Sequence, residues 1–196
     1  GWNKVTWIEA NPALIIDILK KVEPLGQKVI EAALWHTTGE KLSLKVASNG
    51  QSSSLLEFLH HSTYYPQIIV ENEIAVSTRR LDSILHKIDI PDFCNLDIQG
   101  AELAALNGFG KVLNHINVIY TEVNKIELYT GCAMIKDIDQ FLGKAGFRRV
   151  ATRWMIGFGW GDALYMRQTP GLLRRIKGLH WPIRFYLGQI RSLLFQ

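Results

Sequence analysis

Apolar residues follow two spacings along this chain. Lys4 to Glu9 is strand-like, rich in β-branched and aromatic residues, and Asn11-Pro12 follows as N-cap and first helical turn. Leu14, Ile15, Ile18, Leu19 and Val22 recur at helical spacing as far as Gly26, and Lys28 to Trp35 returns to strand. Strand, helix, strand predicts a βαβ unit of a parallel sheet. Glu40 to Val46 alternates as an edge or hairpin strand, Ser48 to Ser54 is a polar loop, Leu55 to Tyr65 is partly helical or irregular, and Gln67 to Ser77 alternates again. Thr78 to Lys87 reads as a short amphipathic helix. Phe93 to Ile98 is a buried strand carrying Asp97 near its end, followed by a Gln99-Gly100 turn and a helix opening at Ala101-Glu102 and ending near Gly108-Phe109-Gly110. Ile116 to Val123 is the next buried strand, Asp137 to Ala145 is helical, and Gly146 suits the position after it. Phe147 to Met155 and Asp162 to Arg167 are strands joined by so short a connection that they must run antiparallel. The fold class is therefore α/β.

Composition narrows the function. At 196 residues, with 47% hydrophobic and 20% charged, the chain is an ordinary globular domain with enough length for a core. The net charge of +4 does not imply nucleic acid, because no Lys/Arg stripe interleaved with aromatics crosses the body. Cys94 and Cys132 form no disulfide framework and no metal-ligand spacing, which suits a reduced, cytoplasmic setting without a metal. No secretory signal and no apolar run of about 18 residues is present.

The excess charge gathers at the end. Pro170 to Gln196 carries Arg174, Arg175, Lys177, Arg184 and Arg191 with no acidic residue, among the apolar stripes Leu172, Leu173, Ile176 and Ile183 to Leu194. The chain divides into a domain at 1–169 and a basic amphipathic helical tail at 170–196. Such a helix either packs on its own domain or a second copy, or contacts a membrane surface peripherally.

Carboxylates at strand ends are the candidate chemistry. Glu9 ends a strand before a helix, where an acidic residue can accept both hydroxyls of a ribose, although a plain helix-terminus charge has equal standing. Asp97 sits beside a turn and a helix start, where open α/β sheets place ligands. Ser53 and Ser54 lie in the polar loop and could close over a pocket. His60 and His61 are adjacent, so they do not share a helix face for metal binding, and a surface beside a substrate pocket is their alternative role.

Four patches together resemble the FkbM-type methyltransferases, which use S-adenosylmethionine. They are Trp7-Ile8-Glu9-Ala10-Asn11-Pro12; Ala32-Ala33-Leu34-Trp35 with Gly39 and Ser52 to Leu55; Leu81-Asp82-Ser83-Ile84-Leu85 followed by Leu96-Asp97-Ile98-Gln99-Gly100-Ala101-Glu102; and Tyr120 to Val123 with Tyr129-Thr130-Gly131, Gly146-Phe147 and Gly161-Asp162-Ala163-Leu164. The third is the most specific. The resemblance spans Val5 to Arg167 and implies a Rossmann-like class I methyltransferase sheet with the antiparallel pair at its C-terminal side.

It further implies an O-methyltransferase that takes S-adenosylmethionine and a hydroxyl of a small molecule, sugar or glycan. Glu9 would hold the cofactor ribose, Asn11 would also bind the cofactor, Ala33 and Leu34 would lie near adenine, and Asp97 would face the methionine end or the acceptor. Glu102 and Glu122 would shape the acceptor site or accept its proton, with Ser53, Ser54, His60 and His61 as substrate contacts. Glu102 also reads as a first-turn helix charge, and Glu122 as a strand-end partner of Lys125. The family pattern carries a strand and glycine-rich loop ahead of the Glu9 strand, and only Gly1 to Asn3 precede it here. The chain is accordingly expected to be a fragment of a longer methyltransferase. The rival reading is a non-catalytic interaction module that uses the tail to bind a membrane or partner.

Overall fold

The computed structural model describes residues 4–86 and 89–168. The 170–196 tail lies outside the described residues. The described residues form a mixed α/β structure with three sheets. β1 (Thr6–Glu9) and β2 (Lys28–Glu31) pair in parallel around α1 (Pro12–Val22), giving the expected βαβ unit. Asn11 caps α1 by accepting the Ala13 N–H at 3.0 Å, and Pro12 occupies the first turn.

The Lys28 to Trp35 run is broken where a single strand was expected. The Ala32 N–H still reaches the Glu9 carbonyl, but Ala33 and Leu34 form a separate β3 that pairs with β5 (Val70–Arg79). β5 also pairs antiparallel with β4 (Lys41–Ala47), giving the order β3-β5-β4. This double demand extends β5 through Thr78 and Arg79, where a helix start was expected, and leaves α3 only Leu81–Ile84. The irregular stretch after the polar loop contains α2 (His61–Tyr64).

The third sheet is the framework. β6 (Phe93–Leu96) lies parallel to β7 (Val118–Asn124). β7 then pairs antiparallel with β9 (Trp160–Arg167), and β9 with β8 (Phe147–Trp154), giving the order β6-β7-β9-β8. The antiparallel hairpin expected from the short 155–159 connection is present. α4 (Glu102–Asn107) and α5 (Ile135–Lys144) flank the sheet. Ile119, Val123, Leu106, Phe109, Ile138 and Leu142 form the heart of a core in which none is more than 1% exposed. Gly108 permits close packing of α4 on β3, since a β-carbon there would lie 2.0 Å from the Trp35 carbonyl oxygen.

Arg167 pins the end of β9. Its guanidinium lies 4.3 Å from the Phe147 ring centroid, and it donates to the carbonyls of Ile116 at 2.8 Å, Ala145 at 3.1 Å and Leu113. These bonds satisfy carbonyls at the ends of α5 and the 110–115 turn, where helix geometry leaves acceptors without internal partners. β1 is less enclosed. All four of its residues are half-buried, and Ile8 packs on the rim of the main core. Among the described residues, β1 pairs only with β2 and β6 only with β7.

Candidate active site

β6 stops at Leu96, and Asp97 and Ile98 lead into the turn. At the turn, Gln99 has φ 56°, the sole non-glycine with positive φ among the described residues, and Gly100 has φ 97°. A residue with a β-carbon held in this region costs of order 1 kcal/mol or more and persists only where its surroundings fix it. Gly100 also has no room for a side chain, because a β-carbon would meet Tyr129 Cδ2 at 2.9 Å and Cys132 Cβ at 3.1 Å.

Several groups fix the turn. Glu102, 1% exposed, accepts the N–H groups of Ile98 at 3.0 Å and Gly100 at 3.1 Å through one carboxylate oxygen. Burial pushes its carboxyl up to about 7, with Asp97 nearby adding to the rise and the backbone donors opposing it. Ser54 donates its hydroxyl to the Gln99 carbonyl at 2.7 Å and accepts the Leu56 N–H at 3.0 Å. The Gln99 side chain donates through Nε2 to Asp97 Oδ1 at 2.7 Å and to Glu122 Oε2 at 3.2 Å, and its Oε1 accepts the Tyr129 hydroxyl at 2.6 Å.

A second, smaller core supports this network. Leu128, Tyr129 and Cys132 pack with Leu56, Phe58 and Trp160. The 57–61 backbone is stitched to 127–130, with Leu59 and His61 N–H groups donating to the Leu128 carbonyl and the Thr130 N–H to that of Glu57. His61 is thereby buried at 3% exposure, with ring centroids of Phe58 at 4.5 Å, Tyr65 at 5.1 Å and Tyr129 at 5.3 Å. Burial lowers its pKa, so the neutral imidazole is favoured, and Nδ1 has no hydrogen-bond partner among the described residues. Burial likewise raises the Tyr129 pKa, and neighbouring Glu122, Glu102 and Asp97 add to the rise, keeping the phenol a donor.

These elements surround a cavity of about 160 Å³ whose lining includes Asp97, Gln99, Glu122, His61, Tyr129 and Trp160. The lining combines carboxylates with aromatic rings. Trp160 Nε1 donates to the Tyr65 hydroxyl at 2.9 Å, tying the β9 start to the 61–65 segment. Of the residues expected from sequence, Asp97, Glu122 and His61 meet at this cavity. Glu102 lies beneath it, clasping the turn, and Ser54 holds the turn from the side. Ser53 accepts the Ala47 N–H at 3.1 Å, and His60 is exposed away from the lining.

The other expected residues cluster elsewhere. Glu9 accepts the Asn11 N–H at 2.7 Å at the end of β1, and its pKa is raised by burial against the opposing effect of that bond. A cavity of about 240 Å³ beside it is lined by Ala10, Pro12, Ala32, Ala33, Glu31 and Arg79, with the remaining wall from β5. Asn11 and Leu34 flank rather than line it. Among the described residues no group of three or more His, Cys, Asp or Glu could hold a metal ion, and no helix is long and apolar enough to cross a membrane.

Gln99 and Tyr129 are the functional-site residues that sequence reasoning passed over. Gln99 read only as half of a turn. Its signal was its place between a strand-end carboxylate and an obligatory glycine.

Comparison with known proteins bears on the same residues. No solved structure matches the chain. Over 82 residues it is 33% identical to the 2-O-methyltransferase NoeI of Sinorhizobium fredii, a match covering 41% of this chain and 34% of that protein. The chain thus matches only about a third of that relative's length. The model of the methyltransferase FkbM domain matches residues 1–149, which take in the Glu9 strand end, the clasped Asp97 to Glu102 turn and Glu122. With that match over most of its length, the chain belongs to the FkbM methyltransferase-domain family.

Proposed function

We propose that this protein is an S-adenosylmethionine-dependent O-methyltransferase acting on a hydroxyl of a small molecule, sugar or glycan. The observation that carries this reading is the convergence of Asp97, Gln99, Glu122 and His61 on one cavity beyond the ends of β6 and β7. That is where parallel α/β sheets bind ligands.

The residues present fit the cofactor. Glu9 receives the Asn11 N–H through one oxygen, and a carboxylate has acceptor sites enough for a diol besides. Ala32 and Ala33 are small and buried beside an open cavity, suited to a flat ring. Glu9 and Asn11 would hold the ribose, with Ala33 and Leu34 beside the adenine. When bound, S-adenosylmethionine supplies an electrophilic methyl group. The protein's part is to align the acceptor oxygen and take its proton. Asp97 and Glu122 face the cavity as proton acceptors, and His61, neutral at its wall, orients the hydroxyl. Glu102, committed to backbone N–H groups, shapes the site from below.

A parallel strand between β1 and β6 would join the first and third sheets into one Rossmann-like sheet. We place the family's glycine-rich loop on such a strand. The free thiols Cys94 and Cys132 are in keeping with a cytoplasmic setting, and burial pushes the Cys94 thiol up to about 12, leaving it unreactive.

Isothermal titration with S-adenosylmethionine tests the reading. Saturable binding weakened about tenfold or more by Glu9→Ala is expected, from loss of charge-assisted bonds to the ribose. Absence of binding, or an affinity indifferent to Glu9→Ala, overturns the cofactor assignment.

A further inference from the structure

Gln99 combines features that the function described so far does not require of it. It occupies a left-handed backbone conformation, yet is not glycine. Its carbonyl is held by Ser54, the N–H groups on either side of it are held by Glu102, and its side-chain amide makes hydrogen bonds to Asp97, Glu122 and Tyr129. The orientation of this amide follows from its partners. Ionised carboxylates only accept, so the NH₂ must face Asp97 and Glu122. The oxygen then faces Tyr129, whose hydroxyl is the donor. Reversing the amide would set its oxygen against two carboxylates and its NH₂ against the phenol, losing both bonds to the acids. The amide is therefore fixed by chemistry.

We propose that Gln99 is a positioning residue that bridges Asp97 and Glu122, holding both ionised and spaced toward the cavity, with Tyr129 as the lock on its amide. Two carboxylates sharing a site repel, and without a bridging donor one of them takes up a proton. The neutral amide supplies N–H bonds to both without adding charge. Its consequence for turnover rests on the cavity being the acceptor site, because a proton-accepting pair must be ionised before the acceptor hydroxyl arrives. Among the described residues, titratable groups around the pair include Glu102 from α4, His61 from α2, and Tyr65, Tyr129 and Cys132 from the surrounding segments. Burial disfavours the imidazolium of His61. Gln99 donates to both acids at once.

The test is carboxyl-carbon NMR titration of the protein labelled at Asp and Glu side chains. Gln99→Met keeps the side-chain length and removes the donor. Proton uptake by the Asp97–Glu122 pair should move upward by about one pH unit, a tenfold change in proton affinity. Tyr129→Phe, which removes only the lock, should shift it in the same direction by less. If the folded Gln99→Met protein titrates as the unsubstituted one does, the proposal is overturned. Should Gln99→Met fail to fold, an unchanged titration in Tyr129→Phe overturns it equally. The experiment uses neither cofactor nor acceptor, so its failure is distinguishable from a failure of the methyl-transfer reading.

Discussion

The β1–α1–β2 unit and the four-stranded β6-β7-β9-β8 sheet solve the burial problem differently. In β7, the residues Thr121 to Asn124 are all buried, whereas no residue of β1 is. α1 leaves Ile16 62% exposed and Leu19 38% exposed, while α5 buries Ile138 and Leu142 almost fully. The four-stranded sheet has helices, a rigid turn and two cores around it. The β1–β2 pair has one helix and, among the described residues, no third strand. On the proposed function the difference would suit two tasks: the sheet would hold a preorganised acceptor cavity, and the β1–β2 pair would offer a carboxylate and small residues to a cofactor that adds to its own cover.

The largest effect that tests this contrast is in the cores. Ile119→Ala removes a fully buried side chain and should cost about 3 kcal/mol, read from denaturant unfolding. Ile8→Ala, at the half-buried rim, should cost about half as much or less by the same measure. Equal losses would erase the distinction.

Next is the clasp. Glu102→Ala leaves the N–H groups of Ile98 and Gly100 without their acceptor and should cost about 2 kcal/mol. Glu102→Gln can keep both bonds through its amide oxygen and should cost less. The sign of the pH dependence follows from linkage. A carboxyl whose folded pKa lies above its unfolded one binds its proton more tightly when folded, so its effect on stability is most favourable below the unfolded value of 4.5 and diminishes as pH rises to about 7. Glu102→Gln should flatten that fall, measured as thermal midpoint against pH, and an unaltered slope would assign it to other groups.

The smallest effect is at the surface. Lys20 pairs with Asp17 at 3.2 Å, both about 70% exposed. Lys20→Ala should change stability by less than about 0.5 kcal/mol in a thermal melt. A larger loss would mean that α1 depends on its polar face more than on Leu14, Ile15 and Ile18.

The same contrast governs how much the sequence discloses. β7, α5, β8 and β9 were legible because burial on a defined face imposes a strict period of apolar residues, and the 155–159 connection permits only an antiparallel return. The break at Ala32 was not legible, since Lys28 to Leu34 keeps one unbroken strand-like pattern. What divides it is a change of hydrogen-bond partner, from β1 to β5. The short helix after Arg80 was overestimated because Thr78 and Arg79 are claimed by β3. At the site, Asp97 and Glu122 were visible as strand-end carboxylates. Gln99 was not, because its importance lies in a backbone angle and in contacts with Glu122 and Tyr129, 23 and 30 residues away.

Hydrogen–deuterium exchange with and without S-adenosylmethionine tests the division of labour most directly. Amides of β1 and the Asn11 cap should exchange faster than those of β7 in the free protein. They should become protected when the cofactor is added, with β7 unchanged. Equal protection of β1 and β7 before addition, or protection confined to β7 after it, would contradict the account.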